Sequence, residues 1–357
     1  MAEINVLTAV REALHEEMAR DESVVILGED VGVEGGVFRA TEGLLKTFGA
    51  DRVVDTPLAE AAIVGVAIGA TVTGLRPVAE IQFADFIWPA MDQIVNEAAK
   101  WRYRTNGLSG CPIVIRVPYG GGIHGGPYHS QCVESAFFHI AGLKIAVPAT
   151  PYDVKGMLKA AIRDPDPVLF FEHKRMYRLI KSEVPLGDYV VELGKAAVRR
   201  PGRDLTVVTY GMEVHHCLRA AEDVAKEGID VEVIDLRTLA PLDRETILES
   251  VKRTSKALIV MRTRSRAGSA LRSPRSSRSM RSQTSMGRSC ALHRRISPPC
   301  RSARHSRILR CRTRPKSLPQ CENSRRIRSG HGRCDHHARS GGDGGGGHDW
   351  PLAEARG

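Results

Sequence analysis

Apolar strand-like runs separated by helical segments fill this chain as far as Val260, and there the pattern stops. The runs are "SVVILGED" (23–30), "RVVDTP" (52–57), "RPVAEIQF" (76–83), "CPIVIRVP" (111–118), "KIAVPAT" (144–150) and "PVLFFEH" (167–173). Their apolar residues are contiguous, not alternating, so both faces of the sheet they form must be covered. Helices on both sides meet that need, which predicts an α/β fold with a parallel sheet. The helices are legible too. Val6, Leu7, Val10, Leu14 and Met18 form one stripe at helical spacing. "PLAEAAIVGVAIGATV" (57–72) is apolar all round, as a helix buried on every side would be. Thr56 is its expected N-cap and Pro57 its first residue. "PAMDQIVNEAAKWRY" (89–103) predicts another helix, and Thr150 with Pro151 starts a further one.

The pattern divides the chain. Residues 1–181 make a first domain. Around "SEVPLGDYVVELGK" (182–195) the periodicity loosens, predicting a linker with a short hairpin over 182–203. A second α/β unit occupies 204–260. It has a strand at "DLTVVTYG" (204–211), a helix to Glu227, a strand and turn in "IDVEVIDLRTLAPLD" (229–243), a helix over 244–256 and a strand at "ALIV" (257–260).

Beyond it, residues 262–357 hold 22 Arg and 1 Lys against 3 Asp and 2 Glu, a net +18. The other 261 residues carry 29 basic and 36 acidic groups, a net −7. The basic balance of the whole chain therefore belongs to the tail alone, and a nucleic-acid-binding reading can rest only there. Cysteines split likewise: Cys111, Cys132 and Cys217 are scattered through the body, and the other five lie in the tail. No Cys-x-x-Cys pair occurs, which argues against a zinc site, and scattered cysteines suit a reducing compartment. The N-terminal helix contains acids, unlike a secretory or transit peptide, and no apolar run reaches the ~18 residues of a membrane span. The expectation is a cytoplasmic protein with no membrane contact.

Three stretches could carry chemistry. Glu60 stands in an otherwise apolar helix, one residue too late for a capping box. It is either an acid favoured by the helix N-terminus or a buried acid that meets a ligand's donor. "VPYGGGIHGGPYHSQ" (117–131) follows a strand, where open α/β sheets place ligands, and carries His124 and His129. It lacks the Gly-Lys-Ser/Thr of a phosphate-binding P-loop and does not open a helix as the dinucleotide fingerprint does. "IQFADFIWPAMDQIVNEAAKWRYR" (81–104) is rich in aromatics, which either pack a core and an interface or stack on a planar ring.

Together, "LGEDVG", "DTPLAEAAIVGVAIGA", "IQFADFIWPAMDQIVNEAAKWRYR", "GGGIHGGPYHSQ", "AIRDPDPVLFFEHKRMYR" and "IDLRTLAPLD" resemble the beta subunits of thiamine-diphosphate-dependent 2-oxoacid dehydrogenases, from about residue 4 to 260. The resemblance implies a transketolase-type pyrimidine-binding domain followed by a transketolase-type C-terminal domain. It implies that Glu60 hydrogen-bonds the cofactor's aminopyrimidine, favouring the imino form that removes the thiazolium C2 proton. It also implies that Phe86 packs on the pyrimidine, that Gln82 is a further cofactor contact, and that His129 assists decarboxylation and acyl transfer to lipoamide. "AIRDPDP" resembles a potassium-binding turn, with Ile113, Ala161, Ile162, Asp164 and Asp166 at matching positions, although Asp166 replaces a frequent Asn. The Gly-Asp-Gly…Asn motif that holds Mg²⁺ and the diphosphate is missing; Gly187-Asp188-Tyr189 is nearest. A separate alpha subunit would supply it in an α2β2 assembly, docked on a lipoyl acyltransferase core. "FFEHKRMYR" and "NEAAKWRYR" look more like the branched-chain type, acting on 2-oxoisovalerate, than the pyruvate type, which stays the alternative.

The tail has its own alternatives: a basic nucleic-acid-binding arm, a disordered segment, or an out-of-frame translation. Arg outnumbers Lys 22 to 1 and Val, Phe and Tyr are missing, which looks like codon bias. One codon set for Met261–Gly268 is ATG AGG ACA CGC TCA CGG GCG GGT. Read one base earlier behind an added C, it spells HEDTLTGG. Ser269–Ser277 then permits FGAEIAA, and "SMGRS" (285–289) permits LDGPV. The family has a similar segment after the strand that matches "ALIV". The expectation is a frameshift just before Met261, a truncated second domain, a disordered tail over 261–357, and no specific nucleic-acid partner.

Overall fold

The computed structural model describes residues 1–262 and two short strands further on, Ser289–Cys290 and Leu309–Arg310. The expected disordered and out-of-frame tail otherwise lies outside the described residues.

In chain order the elements begin with β1 (Ala2–Asn5), α1 (Val6–Arg20), β2 (Val24–Gly28), α2 (Leu44–Phe48), β3 (Val53–Asp55), α3 (Glu60–Val72) and β4 (Arg76–Glu80). There follow α4 (Trp101–Arg104), β5 (Val114–Tyr119), α5 (Glu134–Phe137), β6 (Lys144–Ala146), α6 (Pro151–Arg163), β7 (Val168–His173), α7 (Met176–Leu179) and β8 (Lys181–Val184). The remainder are β9 (Ala197–Arg200), β10 (Leu205–Thr209), α8 (Met212–Ala225), β11 (Val231–Asp235), β12 (Thr238–Ala240), α9 (Arg244–Thr254), β13 (Lys256–Val260), β14 (Ser289–Cys290) and β15 (Leu309–Arg310).

A seven-stranded sheet runs in the order β12-β6-β7-β5-β4-β2-β3. Its ladders are parallel except at β12, which joins β6 antiparallel. Residues next to each other in a strand feed opposite cores, which is why the strands are apolar throughout. Ile26, Val78, Val114 and Phe170 face one core with α1 and α6, while Leu27, Ala79, Ile115 and Phe171 face the other with α3. A second sheet, β13-β10-β11-β9, is parallel apart from β9, and β14 and β15 pair antiparallel with the outer edge of β13. The strand β13 is only half-buried along its length, whereas β10 and β11 are fully buried.

Four expectations need correcting. First, the segment 182–203 forms no hairpin. β8 pairs with β1 and β9 with β11, so the segment ties two sheets together instead of folding on itself. Second, α3 begins at Glu60, after an Ala59 N-cap, not at Pro57. Thr56 N–H bonds to Gly28 O, continuing the strand by one residue, and Ala59 N–H bonds to Pro57 O in a tight turn that delays the helix. Third, α3 is not buried on every side. Ile63, Val64, Ala67 and Ile68 are buried, but Val66 is 63% and Val72 64% exposed, and Leu58 just before the helix is 82% exposed. Fourth, the helix over 89–103 switches pitch, with a π-helical turn at Gln93–Glu97 between 3₁₀ turns and α4. Such π-helical turns occur as single turns within helices, and here the Gln93 side chain lies over Gly65 of α3.

One charged side chain lies at the centre of the sheet. Arg116 on β5 is fully buried; its Nε and Nη2 donate to Glu172 of β7 at 2.7 and 2.8 Å, and its Nη1 donates to Glu80 of β4. Tyr177 Oη donates to the same Glu172 at 2.6 Å. Replacing the arginine strands two buried carboxylates. Arg116→Met is expected to lower the unfolding free energy by about 3–5 kcal/mol. Arg116→Lys, which keeps the charge but loses the planar fork, should lose less. Equilibrium urea denaturation at pH 7 measures both, and a methionine variant as stable as wild type would contradict the assignment.

Candidate active site

The C-terminal ends of β2, β4, β5 and β7 carry the candidate residues, because a parallel sheet delivers its loops to one edge. From β2 come Glu29 and Asp30; from β4 come Gln82, Phe83 and, after a 3₁₀ turn, Phe86. The glycine loop leaves β5 and returns through a 3₁₀ turn, Pro127–His129. Glu60, half-buried on the first turn of α3, lies near enough for its charge to act on Glu29.

Two groups form. The aromatic group contains His129, whose ring is edge-on to Phe83 at 4.5 Å and to Phe86 at 5.5 Å, with Phe83 and Phe86 5.9 Å apart. His129 is half-buried, and Gly125 packs so closely on its Cβ that no larger residue fits there. The other histidine of the loop, His124, is exposed, has positive φ and stands outside this group. The polar group contains Gln82, which donates to Asp30 Oδ2 at 3.2 Å, and the carboxylates of Glu60 and Glu29. Gln82 and Phe83 are consecutive, so the two groups share one backbone.

Glu29 was not singled out by sequence reasoning. It is 3% exposed, and neither carboxylate oxygen has a hydrogen-bond donor among the described residues. Burial first, then the charges of Glu60, Asp30 and Glu80, push it up to about 7. Its only signal in the sequence was its place in "LGEDVG". Opposite it, Asp55 accepts from the backbone N–H of Gly32 and Val33 at 2.6 and 3.1 Å and pins the segment that follows β2.

The oxygens of the "AIRDPDP" turn and of Ile113 have these partners. The Ile162 and Asp164 carbonyls accept from Arg76 Nη1 at 2.9 and 3.3 Å, and the Asp164 carboxylate pairs with Lys144 at 2.6 Å. Asp166 pairs with Arg102 at 2.5 Å. Ala161 and Ile113 carbonyls each accept one backbone N–H. Three cationic side chains, Arg76, Lys144 and Arg102, thus already bring positive charge to the oxygens of this turn.

A sheet of this order, with an acid at the start of α3 and a histidine on the loop after β5, defines a transketolase-type protein. Residues 2–180 match the family model "Transketolase, pyrimidine binding domain" and 194–271 match "Transketolase, C-terminal domain". The chain is 60% identical over 260 residues to the 2-oxoisovalerate dehydrogenase subunit beta of Bacillus subtilis, covering 73% of this chain and 80% of that one. It is 52% identical over 260 residues to the pyruvate dehydrogenase E1 component subunit beta of Acholeplasma laidlawii, with the same coverage, and 49% over 268 residues to that of Bacillus subtilis, covering 75% and 82%. The chain belongs to the family of 2-oxoacid dehydrogenase beta subunits. A solved split-gene transketolase described as an inactive beta4 tetramer shares the fold, with a TM-score of 0.61 at 24% identity over 72% of this chain and 80% of that one.

Because Glu29 sits above its unfolded value of 4.5, at about 7, its charged form is the one the fold disfavours. Its penalty is nil below pH 4.5, grows as pH rises, and is complete above 7. Glu29→Gln should match wild type at pH 5 and exceed its stability at pH 8 by about 1–3 kcal/mol. Chemical denaturation at the two pH values checks this; equal stability at both would show the carboxylate to be satisfied.

Proposed function

We propose that this chain is the pyrimidine-binding half of a thiamine-diphosphate enzyme that decarboxylates a branched-chain 2-oxoacid, 2-oxoisovalerate in the first instance. In this reading the acyl group passes to lipoamide on an acyltransferase core. The observation that carries it is the orphaned, buried Glu29 carboxylate beside Glu60. Buried acceptors without donors fit a ligand that brings donors, as an aminopyrimidine does. When bound, the cofactor supplies the carbanion chemistry that no side chain here can. Glu60 would hold the proton of the pyrimidine ring, Phe86 would pack on its face and Gln82 would line its edge. His129, held edge-on by two phenylalanines, would move a proton at its imidazole during decarboxylation and acyl transfer. The oxygens of Ile113, Ala161, Ile162, Asp164 and Asp166 would hold K⁺ and steady α6. The substrate preference rests on the 60% identity to the 2-oxoisovalerate enzyme's subunit against 49–52% for pyruvate relatives.

An alpha subunit would complete the site with Mg²⁺ and the diphosphate. The uncovered face of α3, with Val66, Val72 and the neighbouring Leu58, supports such a partner, since exposed apolar faces mark interfaces. No helix among the described residues is long and apolar enough to cross a membrane, and cytoplasmic location suits the reading.

The half-buried β13 and the change of composition after Val260 support a frameshift near Met261, after which the second domain would lose its cover. Sequencing the gene tests this directly: an in-frame reading with no lost base would remove it.

Purified alone, the chain should show no 2-oxoacid decarboxylation. Mixed with an alpha subunit carrying Gly-Asp-Gly…Asn, it should turn over 2-oxoisovalerate faster than pyruvate, and Glu60→Ala should cut kcat by at least about a hundredfold. Turnover by the single chain, or an active Glu60→Ala complex, would refute the assignment.

A further inference from the structure

Lys174 follows directly on β7, after Glu172 of the buried ion cluster and after His173, which packs on Tyr119. It is 3% exposed, a depth at which an ammonium is rare without a partner. Among the described residues its Nζ makes one hydrogen bond, to Pro118 O at 3.3 Å. Two further neighbours surround it. The Nζ stands 5.4 Å from the Phe83 ring centroid, over the ring. The Asp85 carboxylate is its strongest opposing charge; Asp85 is buried, and its Oδ2 has no hydrogen-bond partner among the described residues.

Both neighbours lead to one place. Phe83 is the ring that meets His129 at 4.5 Å. Asp85 Oδ1 accepts from the backbone N–H of Gln131 at 3.3 Å, two residues beyond His129 on the same loop.

We propose that Lys174 is a positioning residue whose buried ammonium holds Phe83 through its ring face and Asp85 through charge, and so fixes the glycine loop that presents His129. What this does for catalysis rests on the role proposed for His129; the positioning itself does not.

The charge that does the holding is titratable. Burial lowers Lys174 to about 8, against the pull of Asp85 and Cys132 and with the push of Arg262; His173 and Arg175 flank it in the chain. The ammonium is therefore present below pH 8 and is lost above it, and both contacts weaken together.

Hydrogen exchange read by mass spectrometry on the full chain tests this. After correction for the intrinsic pH dependence of exchange, protection of residues 120–131 should fall about tenfold from pH 7 to pH 9 in wild type. Lys174→Arg, which stays charged, should hold its protection at both pH values. Lys174→Met should lack it at both, while peptides of α6 in the same sample report whether the fold persists. Equal loop protection in wild type and a folded Lys174→Met, or the same pH-dependent fall in Lys174→Arg, overturns the proposal. If Lys174→Met unfolds, the comparison of wild type with Lys174→Arg decides alone. A His129→Ala variant that is fully active in the assembled enzyme would instead sink the role of His129 and leave these results standing.

Discussion

Arg116 holds together the three strands from which the candidate site is built. Its partners are Glu80 at the end of β4 and Glu172 near the end of β7, while it lies on β5 itself. Each strand then hands on a site segment: Gln82 and Phe83 from β4, the glycine loop from β5, His173 and Lys174 from β7. A buried cation between two buried anions is stable only with good geometry and full hydrogen bonding. The fork of the guanidinium and the Tyr177 hydroxyl supply both, and so fix how the three strand ends stand relative to one another.

On that frame sit groups that want a partner from outside the described residues. The chain has a buried acid, Glu29, without a donor among the described residues, a histidine set among aromatic edges, and a helix that shows one apolar face to solvent. Each of these is costly for a chain on its own and makes sense where a second surface arrives. The family assignment agrees, since its members are one kind of subunit in a multi-subunit enzyme.

Much of this could be seen in the residues. Contiguous apolar strands announced the parallel sheet, and the glycine loop after "CPIVIRVP" marked the end where His129 sits. The composition break after Val260 showed where the reliable pattern ended. What stayed hidden depended on neighbours that sequence does not name. Arg116 in "VIRVP" gave no sign of being buried, because only the fold sets Glu80 and Glu172 beside it. Glu29 in "LGEDVG" and Lys174 in "FFEHKRMYR" show no role in the sequence for the same reason. The α3 helix misled in a different way. A helix that is apolar all round looks the same whether its second face is covered by its own chain or by another.

The central claim is that this chain binds only the pyrimidine half of thiamine diphosphate. Calorimetric titration of the cofactor with Mg²⁺ measures it most directly. The account predicts no saturable heat with the chain alone and saturable binding once an alpha subunit is added. Tight, stoichiometric binding by the chain alone would contradict it.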